Sequence, residues 1–523
     1  MKNWKRTNVK NNKPSFNLVT YFKKTGKIKY IFLVYLLITI SISILLYLPI
    51  SHNDMKAAKA DFDYSDALFI AASAFSDTGL STLNISLGFN ELGQAIIAVA
   101  ILIGGFGFFT LKLYIFQLLF GWMWKKTSYY KRDMIQLERG STVDGDTTKL
   151  IKVSLTVLFI TLFASIIFMT LYFYFSPAGH FDDQLAAKKL GPNTFNPFLP
   201  EHYNPNGDFI KSLRYGIFES ISALNNAGFD IIGPASINAY YNAYGLQLWI
   251  MLLIFIGGVG YPSLYDFYNK IVSLRNGKKY RFSLFTKLNL ITYLCITIIG
   301  ITLTFIFETT SKNDHTFWNQ DEYGSIATKS FAIIFHTMST RSAGFATIDY
   351  YHFTNQTTIL HAILMFIGFA PASTAGGIRN ITISIIFLSV YNTILGRNNI
   401  VAFHRRIGKE TLIKAVNILT IAMILVIIGS FIVSTSVDYN PIELNKNIKN
   451  YSTADVFFEV TSAFGSSGLS TGLTEKLNLA SKLTLIIYMF IGQLGITSTI
   501  LVWGNQKHNV NSYTYIYEDV SLG

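Results

Sequence analysis

Long apolar stretches alternate along this chain with short polar segments, many of them basic. Runs near or above the roughly 20 residues that a helix needs to cross a bilayer core occupy 30–50, 92–120, 151–175, 245–272, 288–307, 357–395, 413–434 and 480–503. Eight crossings follow, which leaves both chain ends on one side. The 357–395 run is too long for a single simple crossing. Pro371 and the Gly376-Gly377 pair interrupt it, so non-helical backbone is expected at membrane depth, where protein or water must cover it.

The segments that follow the first, third, fifth and seventh runs resemble one another. They read Ser73-Ala-Phe-Ser-Asp-Thr-Gly79-Leu80, Ser222-Ala-Leu-Asn-Asn-Ala-Gly228-Phe229, Met338-Ser-Thr-Arg-Ser-Ala-Gly344-Phe345 and Ser462-Ala-Phe-Gly-Ser-Ser-Gly468-Leu469. Each sets a glycine before a large apolar residue, and Ser-Ala stands six and five positions earlier in the first, second and fourth. Glu219 and Glu459 both precede their glycine by nine residues, Asp66 and Asp455 by thirteen. A second landmark, Ile-Gly, recurs at Ile103-Gly104, Ile256-Gly257, Ile367-Gly368 and Ile491-Gly492. Four matches on two landmarks define an internal repeat.

The moderately apolar stretch ahead of each glycine is too short to span and reads as a re-entrant helix, with an acid suited to its positive end. The chain must then turn back as extended backbone. Glycine permits the positive φ angles that aim successive carbonyls one way, and rings of carbonyls replace the hydration shell of an alkali cation. The expected fold is an all-α membrane protein. Four parallel repeats, each a crossing, a pore loop and a second crossing, surround a central pore at 30–120, 151–272, 288–395 and 413–503. The expected filter consists of Asp77, Thr78 and Gly79, then Asn226, Ala227 and Gly228, then Ser342, Ala343 and Gly344, then Ser466, Ser467 and Gly468. The interrupted stretch 371–378, with its small residues Ala375, Gly376 and Gly377, is expected to obstruct the cavity below.

Half of the 523 residues are hydrophobic and 14% are charged, against about 25% in soluble domains. The net charge of +13 is concentrated in the short connecting segments, which makes it a topology signal and gives no reason to expect nucleic acid as a partner. Residues 1–29 hold nine Lys/Arg and no acid, 121–150 six, 270–287 six and 396–414 five. The positive-inside rule places these stretches, the 504–523 tail and both termini in the cytoplasm. The first run is too long for a signal-peptide core and reads as a retained anchor. Cys295 is the single cysteine, which rules out an intrachain disulfide.

Several residues carry two readings. Gly104-Gly-Phe-Gly107 and Gly257-Gly-Val-Gly260 are expected to pack helices closely within spanning segments and not to bind dinucleotides, since no strand precedes them. Lys112 and Asp266 are expected to snorkel or pair locally. Glu219 and Glu459 are expected to tie the short helices to neighbouring backbone, and His336 to be a hydrogen-bonded helix residue without metal-ligand spacing around it. Arg341 is expected to buttress the third turn from behind. Arg379 either gates the path or anchors the loop.

With these residues in place, the chain resembles the TrkH/KtrB potassium-uptake proteins of the Trk/Ktr/HKT superfamily, from Tyr30 to about Trp503. Asn225-Asn-Ala-Gly-Phe229, Ser342-Ala-Gly-Phe345 and Ser467-Gly-Leu-Ser-Thr-Gly472 are similar to that family's later filters, and Pro371-Ala-Ser-Thr-Ala-Gly-Gly-Ile-Arg379 to its intramembrane loop. The short N-terminal region is more like KtrB than TrkH. The resemblance implies a dimeric, multi-pass subunit of the bacterial plasma membrane, surrounded by lipid. A cytosolic nucleotide-binding subunit similar to KtrA or TrkA would gate it. It implies K+ as the transported ion, with no cofactor, because glycine holds all four filter positions. Two departures stand out: Gln493 lies where the family carries an arginine near the pore, and Asp77 puts a charge in the first filter that calls for an amide or hydroxyl partner. A sodium-selective pore and a sodium-coupled potassium symporter stay open as alternatives. An enzyme is not expected, since no acids, histidines and nucleophile converge in the sequence.

Overall fold

The computed structural model describes residues 27–53, 61–107, 147–178, 204–233, 236–397, 399–437 and 451–499, with 55, 59, 110 and 111. Most of the expected 1–29 tail and 121–150 loop, all of the 504–523 tail, and Lys112 lie outside the described residues.

The helices fall into four successive units. The first comprises α1 (Lys27–Tyr47), α2 (Tyr64–Phe75) and α3 (Glu91–Phe106). The second holds α4 (Thr147–Phe175), α5 (Phe209–Leu224), α6 (Tyr244–Gly258) and α7 (Tyr261–Arg275). The third holds α8 (Leu284–Thr310), α9 (Ile326–Ser339), α10 (Asn355–Phe366) and α11 (Asn380–Ile394). The fourth has α12 (Lys409–Ser434), α13 (Thr453–Gly465) and α14 (Leu479–Leu494). A small antiparallel hairpin, β1 (Ile400–Ala402) with β2 (Arg405–Ile407), precedes α12.

Each unit opens on a helix long and apolar enough to cross a membrane: α1, α4, α8 and α12. Their outward faces stay apolar, with Leu37, Phe163, Ile298 and Phe431 all exposed, a surface suited to acyl chains and costly in water. The next helix in each unit is only 12 to 16 residues long. Its start is fixed by a side-chain cap. Asp63 and Ser452 form reciprocal capping boxes with Asp66 and Asp455, while Asp208 and Ser325 accept the N–H groups of Lys211 and Thr328. Such caps satisfy amides that a short helix would otherwise leave bare.

The second long apolar run of every unit is interrupted. The 357–395 run leaves the helix after Phe366 and resumes at Asn380, as its proline and glycines predict. The runs 92–120, 245–272 and 480–503, expected as crossings, are broken as well. Helix α3 ends before Gly107 (φ 79°), α6 before Gly260 (φ 83°) and α14 before Gly495 (φ 88°), and α6 and α7 meet at a 103° bend. In each case the breaking glycine stands three residues beyond an Ile-Gly landmark. Positive φ with extended ψ is open to glycine and strained for other residues, and hydropathy does not register it.

The units interlock in a cycle. Each opening helix packs on the short helix of its own unit: α1 on α2, α4 on α5, α8 on α9 and α12 on α13. The later helix reaches forward, α3 against α5, α6 against α9 and α10 against α13, and α14 closes the circle against α2. Arg214 of α5 meets Glu91 of α3 at 2.6 Å, and the Tyr244 hydroxyl of α6 donates to Thr328 of α9 at 2.9 Å. At the closure Lys482 of α14 reaches Asp66 at 2.7 Å, and Lys59 meets the same carboxylate at 2.8 Å. A buried carboxylate held by two cations and a capping role meets the condition under which burial of charge is tolerated.

Candidate functional site

The four short helices all end in the same turn. Two residues before each glycine the backbone is left-handed, at Asp77 (φ 50°), Asn226 (φ 59°), Ser342 (φ 61°) and Ser466 (φ 46°). The glycines follow at φ 90°, 71°, 79° and 85°. Three different side chains, Asp, Asn and twice Ser, adopt one unfavourable conformation, so the turn is imposed by its surroundings. The residue before each glycine donates its N–H back to the helix, Thr78 to Ser73 O and Ala227 to Ser222 O at 2.8 Å, and Ser467 to Ser462 O at 2.9 Å.

The third turn is one residue shorter, Ala343 donating to Ser339 O at 3.0 Å. Ser339, not Met338, therefore occupies the place of Ser222, and both hydroxyls bond the carbonyl after the glycine, Ser222 to Phe229 O at 2.6 Å and Ser339 to Phe345 O at 2.5 Å. The sequence alignment pairs Met338 with Ser222 because it is anchored on the glycines and carries no information on loop length.

The turns meet one another in order. A Cβ built on Gly79 would lie 3.2 Å from the Gly228 carbonyl carbon, one on Gly228 2.6 Å from Gly344 Cα, one on Gly344 3.3 Å from Gly468 Cα, and one on Gly468 3.0 Å from Gly79 Cα. The circle closes. The expected filter residues from Asp77 to Gly79, Asn226 to Gly228, Ser342 to Gly344 and Ser466 to Gly468 are thus brought together, and all are buried except Gly79 and Gly468, which are half-buried.

Behind the second, third and fourth turns an acceptor from the short helix holds the residue three past the glycine. Glu219 accepts the Ile231 N–H at 3.2 Å. Glu459 accepts the Thr471 N–H at 2.8 Å, with Ser470 and Thr474 hydroxyls at 2.5 and 2.7 Å. His336 Nε2 accepts the N–H groups of Thr347 and Ile348 at 3.2 and 3.1 Å, so its ring is a neutral acceptor on that side. Asp66 stands against Thr82. The structural readings of Glu219, Glu459 and His336 hold. That His336 plays the part of the two glutamates was missed, although a one-residue shift brings all three into register.

The second landmark glycines let the later helices touch these turns. Gly104, Gly257 and Gly492 lie against the carbonyls of Phe75, Leu224 and Phe464, with no room for a side chain. In the third unit the corresponding Gly368 faces the Gly376 carbonyl instead, because the 371–378 loop fills that space. The loop is pinned: Ala372 O accepts the Tyr261 N–H at 2.9 Å, Ile378 N–H donates to Phe366 O at 3.1 Å, and Gly376 abuts the Ser466 side chain. Asn380 then bonds Asn289 Oδ1 at 2.6 Å.

Arg379, Gln493 and Asp77 form one chain of contacts. The Arg379 guanidinium donates to the Ala375 carbonyl and, at 2.8 Å, to the Gln493 carbonyl. The Gln493 side-chain amide donates to Asp77 Oδ2 at 3.1 Å. The amide partner expected for Asp77 is therefore the residue that replaces an arginine of the resembled family. Arg341 is fully buried behind the third turn, donating to Gly368 O at 2.8 Å and Leu364 O at 3.4 Å, with Tyr293 beneath it, as a buttress should. Asp266 pairs locally with Tyr280, the Ser283 amide and Thr286.

Known proteins resemble this chain along most of its length. The TrkH family, described as a cation transport protein, matches residues 18–511. The chain is 33% identical to the cation transporter MG322 of Mycoplasma genitalium, over 97% of this chain and all of that one. It is 30% identical to the Ktr system potassium uptake protein D of Bacillus subtilis, over 94% and 95%. The crystal structure of the potassium transporter TrkH from Vibrio parahaemolyticus has the same fold, with a TM-score of 0.61 at 15% identity over 92% of this chain and 85% of that one. Four closely packed glycine turns on a bundle of apolar helices belong here to a multi-pass membrane transporter and not to an enzyme, and the chain is a member of the TrkH family of cation transport proteins, within the Trk/Ktr potassium-uptake group.

Proposed function

We propose that the chain takes up potassium through a channel-like path on the axis of its four units, with the four glycine turns as the selectivity filter. The closed circle of Gly79, Gly228, Gly344 and Gly468 carries this reading. Carbonyls of residues 77–79, 226–228, 342–344 and 466–468 face the path and replace the ion's water. The short helices α2, α5, α9 and α13 direct their negative ends at the same place. Parallel units put the turns toward the outside and both termini in the cytoplasm of a bacterial cell.

Below the filter, the 371–378 loop closes the path. Arg379 holds it to the broken end of α14 through the Gln493 carbonyl, so a cytosolic nucleotide-binding subunit that moves this end releases the loop. The chain works as a homodimer with that partner, as the family resemblance implies.

The test is growth of a potassium-uptake-deficient bacterial strain on low potassium when it expresses this chain, alone and with its regulatory subunit. Growth rescue with potassium influx that sodium does not replace is expected. Membrane-inserted protein that gives no rescue would sink the reading, and rescue only in the presence of sodium would establish the symporter alternative.

A further inference from the structure

Three of the four helix breaks meet at one side chain. Tyr261 opens α7 directly after the breaking Gly260 and is buried. Its hydroxyl donates to the carbonyl of Phe106, the last residue of α3, at 3.1 Å. Its own carbonyl accepts the Ser154 hydroxyl of α4 at 2.9 Å, and its N–H donates to Ala372 O of the third unit's loop at 2.9 Å. Two further loop amides rest on the same break, Ala370 N–H on Gly258 O at 3.2 Å and Thr374 N–H on Gly257 O at 3.4 Å. Asn289 of α8 steadies the stretch on either side of Tyr261, donating to Val259 O at 2.9 Å and to Ser263 Oγ at 3.2 Å. The Tyr261 amide is thus offered to the loop by a frame that three units hold still.

What this amide holds is strained. Ala372 has a φ of 57°, a left-handed conformation that its Cβ makes unfavourable. Such a residue persists only while its surroundings over-determine it. Ala375, whose carbonyl Arg379 holds at the loop's other end, has no positive φ, so the two holds are of different kinds. We propose that Tyr261 is the positioning residue that keeps the 371–378 loop across the path, and that Ala372 is the sprung end that leaves it on opening. The inference rests on the proposed gating role of the loop and adds the hold that Arg379 does not supply. Opening costs the hydrogen bond from Tyr261 and recovers the strain at Ala372, so the two terms oppose each other and a modest pull suffices.

Two substitutions should act in opposite directions. Ala372→Gly keeps the carbonyl and its hydrogen bond but removes the Cβ that opposes the turn, which favours the closed loop. Tyr261→Phe keeps the ring and the N–H but releases the Phe106 carbonyl and loosens the frame. Both are measured as potassium flux in proteoliposomes, with and without the regulatory subunit, beside thermal stability in detergent. Flux with the subunit should fall about fivefold in Ala372→Gly. Flux without it should rise about fivefold in Tyr261→Phe. A rise or no change in Ala372→Gly would overturn the sprung end. Lowered stability of Tyr261→Phe with no gain in flux would overturn the positioning role and leave Tyr261 a packing residue. Should Tyr261→Phe fail to fold, Ser154→Ala removes the hold on the Tyr261 carbonyl and carries the same expected rise. Unchanged flux after deletion of Ala372 to Ala375 falls on the gating role of the loop, whereas a deletion that opens the path beside point variants without effect falls on Tyr261 and Ala372 alone.

Discussion

Gly228 is constrained twice, by a φ of 71° and by a neighbour that leaves no space for Cβ. Gly228→Ser should therefore lower potassium uptake about tenfold and relax discrimination against sodium, since both the turn and its contact with Gly344 must shift. Unaltered affinity and selectivity in a well-expressed variant would remove Gly228 from the filter. Gln493 offers a second test. Gln493→Leu strips Asp77 of its amide partner at a site where the carboxylate is buried, and should destabilise the protein by about 1–3 kcal/mol. Asp77→Asn should recover part of that loss in the double variant, read as thermal stability in detergent, and strictly additive effects would argue against the contact. The glycines were legible in the sequence because one residue type alone fills such a turn. The Asp77–Gln493 pair was not, although each residue stood out singly, because 416 positions separate them and one sequence records no contacts.

At the scale of elements, hydropathy located all four long helices, and the capping residues Asp66 and Asp455 located two of the four short ones. It does not register the breaks in the later runs, since Gly107, Gly260 and Gly495 end helices by backbone angle while leaving the apolar count untouched. The exception was 357–395, where Pro371 announced the break. That loop supports a prediction. Deleting Ala372 to Ala375 removes the carbonyl that Arg379 holds and the contact with Tyr261. Ion flux in the absence of the regulatory subunit should then rise severalfold with potassium preference retained. A folded deletion variant as closed as the parent in liposomes would show that the loop does not gate the path.

For the whole molecule, the basic segments predict orientation. Reporter fusions at Gly140 and Gly523 should report the cytoplasm and one at Asn193 the outside. A single fusion on the wrong side would require a different order of crossings. The cyclic packing of the units could not be read from the chain, because a repeat specifies likeness between units and not which helix lies against which neighbour. Lys482 and Asp66 illustrate this: nothing in either segment names the other.

The closure of the circle also sets an order in time. Ribosomes make α2 long before α14, yet α14 supplies Lys482 to Asp66 and Gln493 to Asp77. A growing chain must insert three units with their circle open and with the Asp66 carboxylate short of one cation, so the final fit waits for α14 to emerge. Chains stalled before residue 479 should accordingly be cut by protease in the 61–90 stretch, whereas chains carried beyond residue 499 should resist. Equal resistance at both lengths would mean that the first unit completes itself without the last, and that the late-made helix seals nothing.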